Sequence, residues 1–318
     1  MQTVWGPLFR SRARLRVRRE RVSTRDGDFV DLDWADGGEG QGAPLLLVLH
    51  GLEGSSQSHY ALSLMRLALT RRWRAATLNF RSCSGELNRL PQFYHSGHTD
   101  DLEDVIGLLL SREPATSLAV VGVSLGGNVL LKWLGEREKD APAQLFGAVA
   151  ISVPFDLAPC ARVLDRGLRK RVYTANFLGS MRRKIRLKAG RDPGFAARVD
   201  LPLALRARTF AEYDRAVTAR LHGFADELDY WARASSGPYL GRIRRPTLLV
   251  NSLDDPIVPR EALPDPVRLP HGVSAEFPSR GGHAGFIEGR WPWRVHSWAE
   301  RRALEFLAAA LAAPPRVY

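Results

Sequence analysis

Lysine and cysteine are both scarce in this 318-residue chain. Lys132, Lys139, Lys170, Lys184 and Lys188 are the only lysines among 46 basic residues, and Cys83 and Cys160 are the only cysteines. One cysteine pair makes a thin disulfide framework, so a reducing, cytoplasmic setting is expected. The apolar run Ala43 to Leu49 is far shorter than the ~20 residues of a membrane span. Met1 to Arg21 is Arg-rich but lacks the apolar centre of a secretory signal. There is no His-Glu-x-x-His and no paired Cys-x-x-Cys, the common zinc patterns. There is no Gly-Lys-Ser/Thr phosphate loop, and the Gly-rich turn at Gly122 to Gly127 lacks the Gly-x-Gly of a dinucleotide fingerprint. His95-Ser96-Gly97-His98 with Asp100 and Asp101 reads as a helix-capping loop rather than a metal site. No cofactor and no metal is therefore expected.

What is abundant is arginine. The net charge is +12. The basic residues are spread along the whole chain and lack the aromatic interleaving of a single-strand binding surface, which argues against nucleic acid. Solvated surface charge is the expected reading, with attraction to an anionic membrane surface or to anionic acyl substrates as the alternative. The composition, 45% hydrophobic and 25% charged, suits a soluble globular protein. The length suits one large α/β domain or a domain with an inserted cap.

Arg14 to Arg18 alternates with period two, and an Asp26-Gly27 turn precedes Phe29 to Trp34, which predicts a β-hairpin or β-meander with an arginine-guarded edge. Asp36 to Gly42 is a Gly-rich loop. Strands are expected at Pro44 to His50, Ala75 to Phe80, Leu118 to Val121, Phe146 to Ile151, Pro246 to Asn251 and Val273 to Phe277. Helical periodicity runs over Tyr60 to Thr70, Asp100 to Leu110 and Trp298 to Ala312, the last ended by Pro314-Pro315. From Val153 to about Ser236 the pattern is helical and Arg-rich. The alternation predicts a mainly parallel sheet with helices on both faces and chemistry at the carboxyl ends of the strands. The expected organisation is a core of residues 1–152 and 237–318, interrupted by a helical cap at 153–236.

Gly122-Val123-Ser124-Leu125-Gly126-Gly127 carries the chemistry. An apolar strand, then Gly-x-Ser-x-Gly, then a helical pattern is the setting of a nucleophile elbow. Serine is a poor nucleophile at neutral pH and needs a base and an orienting carboxylate, here in the order Ser, acid, His. Asp254 and Asp255 both follow the strand ending at Asn251, and Asp255, directly before Pro256-Ile257-Val258-Pro259, is preferred. Three histidines follow: His271 in a turn, His296 in a Trp-rich segment, and His283 after Gly281-Gly282. His283 is the expected base, since a loop after the last strand can bring it over the elbow. The oxyanion donors are expected to be the amides of Leu125, next to Ser124, and Leu52, in His50-Gly51-Leu52-Glu53-Gly54.

Several segments together resemble the YheT-like branch of the α/β-hydrolase superfamily, related to abhydrolase-domain esterases and lipases. They are His50 to Ser56, Asn79 to Leu90, Tyr94 to Gly97, Gly122 to Asn128, Thr218 to Tyr230, Asn251 to Pro256 and Gly281 to Gly289. The resemblance places the family's Ser, Asp and His on Ser124, Asp255 and His283. It implies carboxylic ester hydrolysis, with some relatives acting on phospholipids, transferring acyl groups or cleaving thioesters. The chain departs from the family twice: Arg81-Ser82-Cys83-Ser84-Gly85 stands for the usual Arg-Gly-Cys-Ser-Gly, and Gly97-His98-Thr99 for Gly-Glu-Thr.

The expected activity is cleavage of a small-molecule or lipid acyl ester through an acyl-enzyme. Acyl transfer or thioester cleavage by the same residues, and a non-catalytic binding module on this scaffold, are the competing readings. In the cap, Leu168, Val172, Phe177, Met181 and Ile185 fall on one helical face amid basic residues. Such a stripe packs on the domain below, lines an acyl pocket, or lies on a membrane.

Overall fold

The computed structural model of the chain describes residues 15–37, 40, 42–288 and 296–313. Arg14, part of the Gly-rich loop, the side chain of His296, Gly289 and the Pro314-Pro315 stop lie outside them. The strands of the main sheet are β1 (Val17–Ser23), β2 (Phe29–Ala35), β3 (Leu45–Leu49), β4 (Arg74–Asn79), β5 (Leu118–Val123), β6 (Leu145–Ile151), β7 (Thr247–Val250) and β8 (Val273–Glu276), and Ile287–Glu288 pairs with His296–Ser297 in a small second one. The main helices are α1 (His59–Thr70), α2 (Asp100–Arg112), α3 (Leu125–Arg137), α4 (Leu157–Leu164), α5 (Ala175–Arg191), α6 (Glu227–Ala234) and α7 (Trp298–Ala312). Most ends differ from the expected ones by a residue or two, where the sequence pattern fades at strand and helix termini, but β1 runs over Val17–Ser23 rather than the alternating Arg14 to Arg18.

The main sheet has the order β1-β2-β4-β3-β5-β6-β7-β8. β1 runs antiparallel to β2 and β2 antiparallel to β4; the remaining neighbours are parallel. β3 shows why. Its residues Leu45, Leu47 and Leu49 enter one apolar core and Leu46 and Val48 enter the other. A strand apolar on both faces must be covered on both. α2 and α3 cover one face, and α1 and α7 cover the other. The edge hairpin forms as expected, with Gly27 at φ 86° in its turn. Its arginines also have partners. Arg19 and Arg21 reach the buried Asp33 and Asp31 of β2 at 2.7 and 2.9 Å.

Between β6 and β7 the chain leaves the sheet. α4, α5, α6 and shorter helical turns enclose a third apolar core containing Leu157, Leu178, Ile185, Phe195 and Trp231, with Ile257 and Val258 of the sheet's loop below. Here the single amphipathic stripe breaks in two. Ile185 is fully buried, whereas Leu168 and Val172 are 74% and 44% exposed. A π-helical turn at Lys170–Thr174, which contains Val172, separates Leu168 from Ile185. Its i→i+5 bonding inserts one residue, which rotates the following helical face by about 100°. No described helix is long and apolar enough to cross a membrane.

The departure at Ser82 has a structural counterpart. Ser82 has φ 62°, in the left-handed region that favours glycine. Its hydroxyl donates to Asn88 Oδ1 at 2.7 Å and accepts from the Asn88 amide at 3.0 Å, which holds the turn despite the Cβ. His98, the other departure, sits 3.7 Å from Asp101 at the start of α2. Among the described residues no cluster of His, Cys, Asp and Glu suits a metal ion.

Candidate active site

β5 ends at Val123 and α3 begins at Leu125, so Ser124 alone makes the turn, at φ 54° and ψ −120°. That is a strained conformation for a residue with a Cβ. The glycines around it make it feasible. A Cβ on Gly122 would stand 2.4 Å from the Gly126 carbonyl oxygen, and one on Gly126 would stand 2.5 Å from that of Leu49. The amide of Ser124 donates to the Ile151 carbonyl at 2.8 Å, and its own carbonyl accepts from the Asn128 amide at 3.1 Å. Asn128 is fully buried and bonds the carbonyls of Ser96 and Ala234 and the amide of Ser236. The helix behind the serine is thus tied to the segment above it.

The loop after β8 brings His283 to this turn. His283 Nε2 lies 2.9 Å from Ser124 Oγ, and Nδ1 lies 2.8 Å from Asp255 Oδ2. A carboxylate only accepts, so Nδ1 carries the proton of the neutral ring and Nε2 is left to accept from the serine hydroxyl. Asp255 is itself fixed, because its Oδ1 accepts from the amides of Ile257 and Val258 at 2.7 and 3.1 Å. Asp254 has another task. Its Oδ1 accepts from the Gly281 and Gly282 amides, each at 2.8 Å. Burial works against its charge, but these amides outweigh it and hold the carboxyl below the usual range. Ser252 Oγ donates to the Gly282 carbonyl and Ser152 Oγ accepts from the Ala284 amide, both at 2.9 Å. Sequence reasoning had no signal for Ser152 or Ser252 beyond their places just after β6 and β7.

Leu52 follows β3. The amides on either side of it are donated to tyrosine hydroxyls, Gly51 to Tyr60 at 2.8 Å and Glu53 to Tyr94 at 2.7 Å. His50 braces the same loop. The Phe80 amide donates to its Nε2, so Nδ1 must donate to the Gly51 carbonyl. Burial pulls this imidazole down to about 4, so it is neutral at physiological pH. Leu52, Ser124, Leu125 and His283 line one cavity. Its far wall is apolar: Leu157, Cys160, Leu164, Phe177, Met181, Phe210 and Trp231 all come from the helical segment between β6 and β7. His95 also lines it.

Residues 44–290 match the family model described as alpha/beta hydrolase fold. The chain belongs to the α/β hydrolase fold family. Within it, this hydrolase is 37% identical over 314 residues to YheT of Escherichia coli strain K12, covering 98% of this chain and 91% of that one. It is 30% identical over 315 residues to human phospholipase ABHD3, covering 97% and 76%. These relatives place the hydrolase in the YheT-like group, among the carboxylic ester hydrolases. An esterase of Pyrococcus furiosus, Pf2001, shares the fold at 16% identity, with a TM-score of 0.58 over 93% of each chain.

Proposed function

We propose that this ester hydrolase works through a Ser124–His283–Asp255 triad and an acyl-enzyme. The continuous path of two hydrogen bonds from Ser124 Oγ through His283 to Asp255 carries the reading. Ser124 Oγ attacks the ester carbonyl as His283 Nε2 takes its proton. Asp255 keeps the Nδ1–H tautomer and stabilises the imidazolium. The amides of Leu52 and Leu125 receive the oxyanion, worth about 10²–10³ in rate per donor in comparable sites. His283 then protonates the leaving alcohol, and water attacks the acyl-enzyme by the same route reversed. The acyl chain occupies the apolar wall under the helices of residues 153–236, which act as a cap on a core of 1–152 and 237–318. The substrate class this favours is an uncharged or lipid acyl ester.

Both cysteines are free thiols, in keeping with a cytoplasmic setting. The exposed Leu168 and Val172 beside Arg169 and Arg171 favour peripheral contact with anionic lipid, which co-sedimentation with anionic vesicles tests. The central test is chemical. Ser124→Ala should abolish both turnover of nitrophenyl esters and labelling by a fluorophosphonate probe. Labelling that persists in this variant would overturn the assignment.

A further inference from the structure

Glu53, the residue after Leu52, combines two costly features. Its backbone stands at φ 55°, in the left-handed region. Its carboxylate is buried, with 9% of the side chain exposed. Lys184 Nζ meets Oε1 at 2.8 Å, and the Tyr94 hydroxyl donates to the same oxygen at 3.1 Å. Ser180 Oγ donates to Oε2. Tyr94 thus accepts from the Glu53 amide and donates to the Glu53 side chain. It is itself immobilised by stacking on Phe80 at 5.3 Å.

Ser180 and Lys184 are one turn apart on α5, the helix whose Phe177 and Met181 wall the cavity. One helix therefore touches the acyl site and grips the loop of the proposed oxyanion donor. Lys184 also donates to Cys83 Sγ at 3.4 Å, and burial pushes that thiol up to about 11, so it stays a neutral acceptor. A buried ion pair is a poor source of stability, since desolvation offsets most of its attraction. Its better-attested use is to set register between elements, and here the elements are α5 and the loop 51–54.

We propose that Glu53 and Lys184 are a positioning pair. They couple the docking of α5 over the acyl chain to the orientation of the Leu52 amide, so that the oxyanion donor is aligned only when this helix is seated. The inference rests on the reading of Leu52 as an oxyanion donor. Neither residue touches the reacting atoms. Both act through the backbone of Leu52.

The experiment compares Glu53→Gln, Lys184→Met, Lys184→Arg and the double variant Glu53→Gln/Lys184→Met with wild type. Each is assayed on a nitrophenyl ester and titrated with an alkyl trifluoromethyl ketone, which forms a tetrahedral oxyanion on serine, and with the matching carboxamide, which does not. Either charge-removing variant should lose about tenfold to hundredfold in kcat, less than deletion of a donor outright. KM and carboxamide affinity should stay within about threefold, because ground-state binding does not use the amide. Ketone affinity should fall in step with kcat/KM. The double variant should be no slower than the worse single one, and Lys184→Arg should recover much of the rate. The double variant also removes both buried charges and serves as the folding control by thermal melt. Folded variants with unchanged kcat, or with carboxamide affinity lost as much as ketone affinity, would overturn the pair while leaving Leu52 in place. Wild type that binds the ketone no tighter than the carboxamide would overturn the Leu52 reading and the pair with it.

Discussion

Asp254 holds the loop of His283 without touching the ring. Its Oδ1 takes the amides of Gly281 and Gly282, while its neighbour Asp255 takes the imidazole Nδ1. Adjacent carboxylates thus hold one histidine, Asp254 through the glycine amides just before it and Asp255 at its ring. The two should fail differently. Asp255→Asn should lower kcat by about 10⁴, the loss expected when a serine triad's histidine is no longer held in its working tautomer. Asp254→Ala should lower kcat about tenfold to hundredfold, because a loop displaced by an ångström still samples the right position. It should also speed hydrogen exchange at Gly281 and Gly282. Equal kcat for Asp254→Ala and wild type would remove its positioning role.

Much of this site was legible because its parts are local. A strand, a Gly-x-Ser-x-Gly turn and a helix lie within about twenty residues, and the small residues are required by contacts as close as that of Gly126 with the Leu49 carbonyl. The order of Ser124, Asp255 and His283 follows from the order of the strands. What was not legible depends on distance or on register. Lys184 lies 131 positions from Glu53, and no pattern pairs them. The exposed Leu168 and the buried Ile185 share a helical stripe on paper until the π-turn at Lys170–Thr174 separates them. Backbone bonding of that kind leaves no periodic trace in side-chain type.

The elbow gives the sharpest steric prediction. Gly126→Ala would drive a Cβ toward the backbone carbonyls of Leu49 and His50, at 2.5 and 2.6 Å, and backbone cannot swing away as a side chain can. The expected cost is about 1–3 kcal/mol of overpacking. The readouts are a melting temperature lower by several degrees and an esterase activity lost by more than the unfolded fraction explains. A fully active, equally stable variant would mean that Ser124 does not need so tight a turn.

Ala161 tests the acyl site. It lines the cavity from α4 and is buried. Each methylene removed from water is worth about 0.8 kcal/mol, or roughly fourfold in kcat/KM. In wild type, kcat/KM should rise with acyl length until the wall beneath the helices is filled. Ala161→Phe places a ring in that space. It should cut kcat/KM for octanoyl esters at least tenfold while leaving acetyl esters within about threefold. A uniform loss across the series would place the acyl chain elsewhere.

Asp214 predicts how stability should follow pH. It lines the same cavity, is buried, and receives Trp231 Nε1 at 2.9 Å and Thr218 Oγ1 at 2.8 Å, both neutral donors. Burial raises its carboxyl to about 7; the Trp231 and Thr218 bonds oppose the shift, and the charges of Asp165 and Glu227 add to it. A carboxyl with a raised folded value binds its proton more tightly in the native state than in the unfolded chain, whose value is about 3.8. Stability therefore falls as pH rises from about 4 through about 7, and the full loss persists above that. At 1.36 kcal/mol per pH unit, the contribution of this one group is on the order of 4 kcal/mol. Asp214→Asn keeps an acceptor for Trp231 and offers an amide N–H to the Thr218 hydroxyl, so both bonds can be remade without a charge to bury. Urea unfolding at pH 5.5 and pH 8.5 should show wild type losing more stability than the variant over that interval, and the variant should be the more stable protein at pH 8.5. Parallel pH profiles for the two proteins would show that Asp214 is already ionised at pH 5.5 and that the cavity wall is wetter than its apolar lining implies.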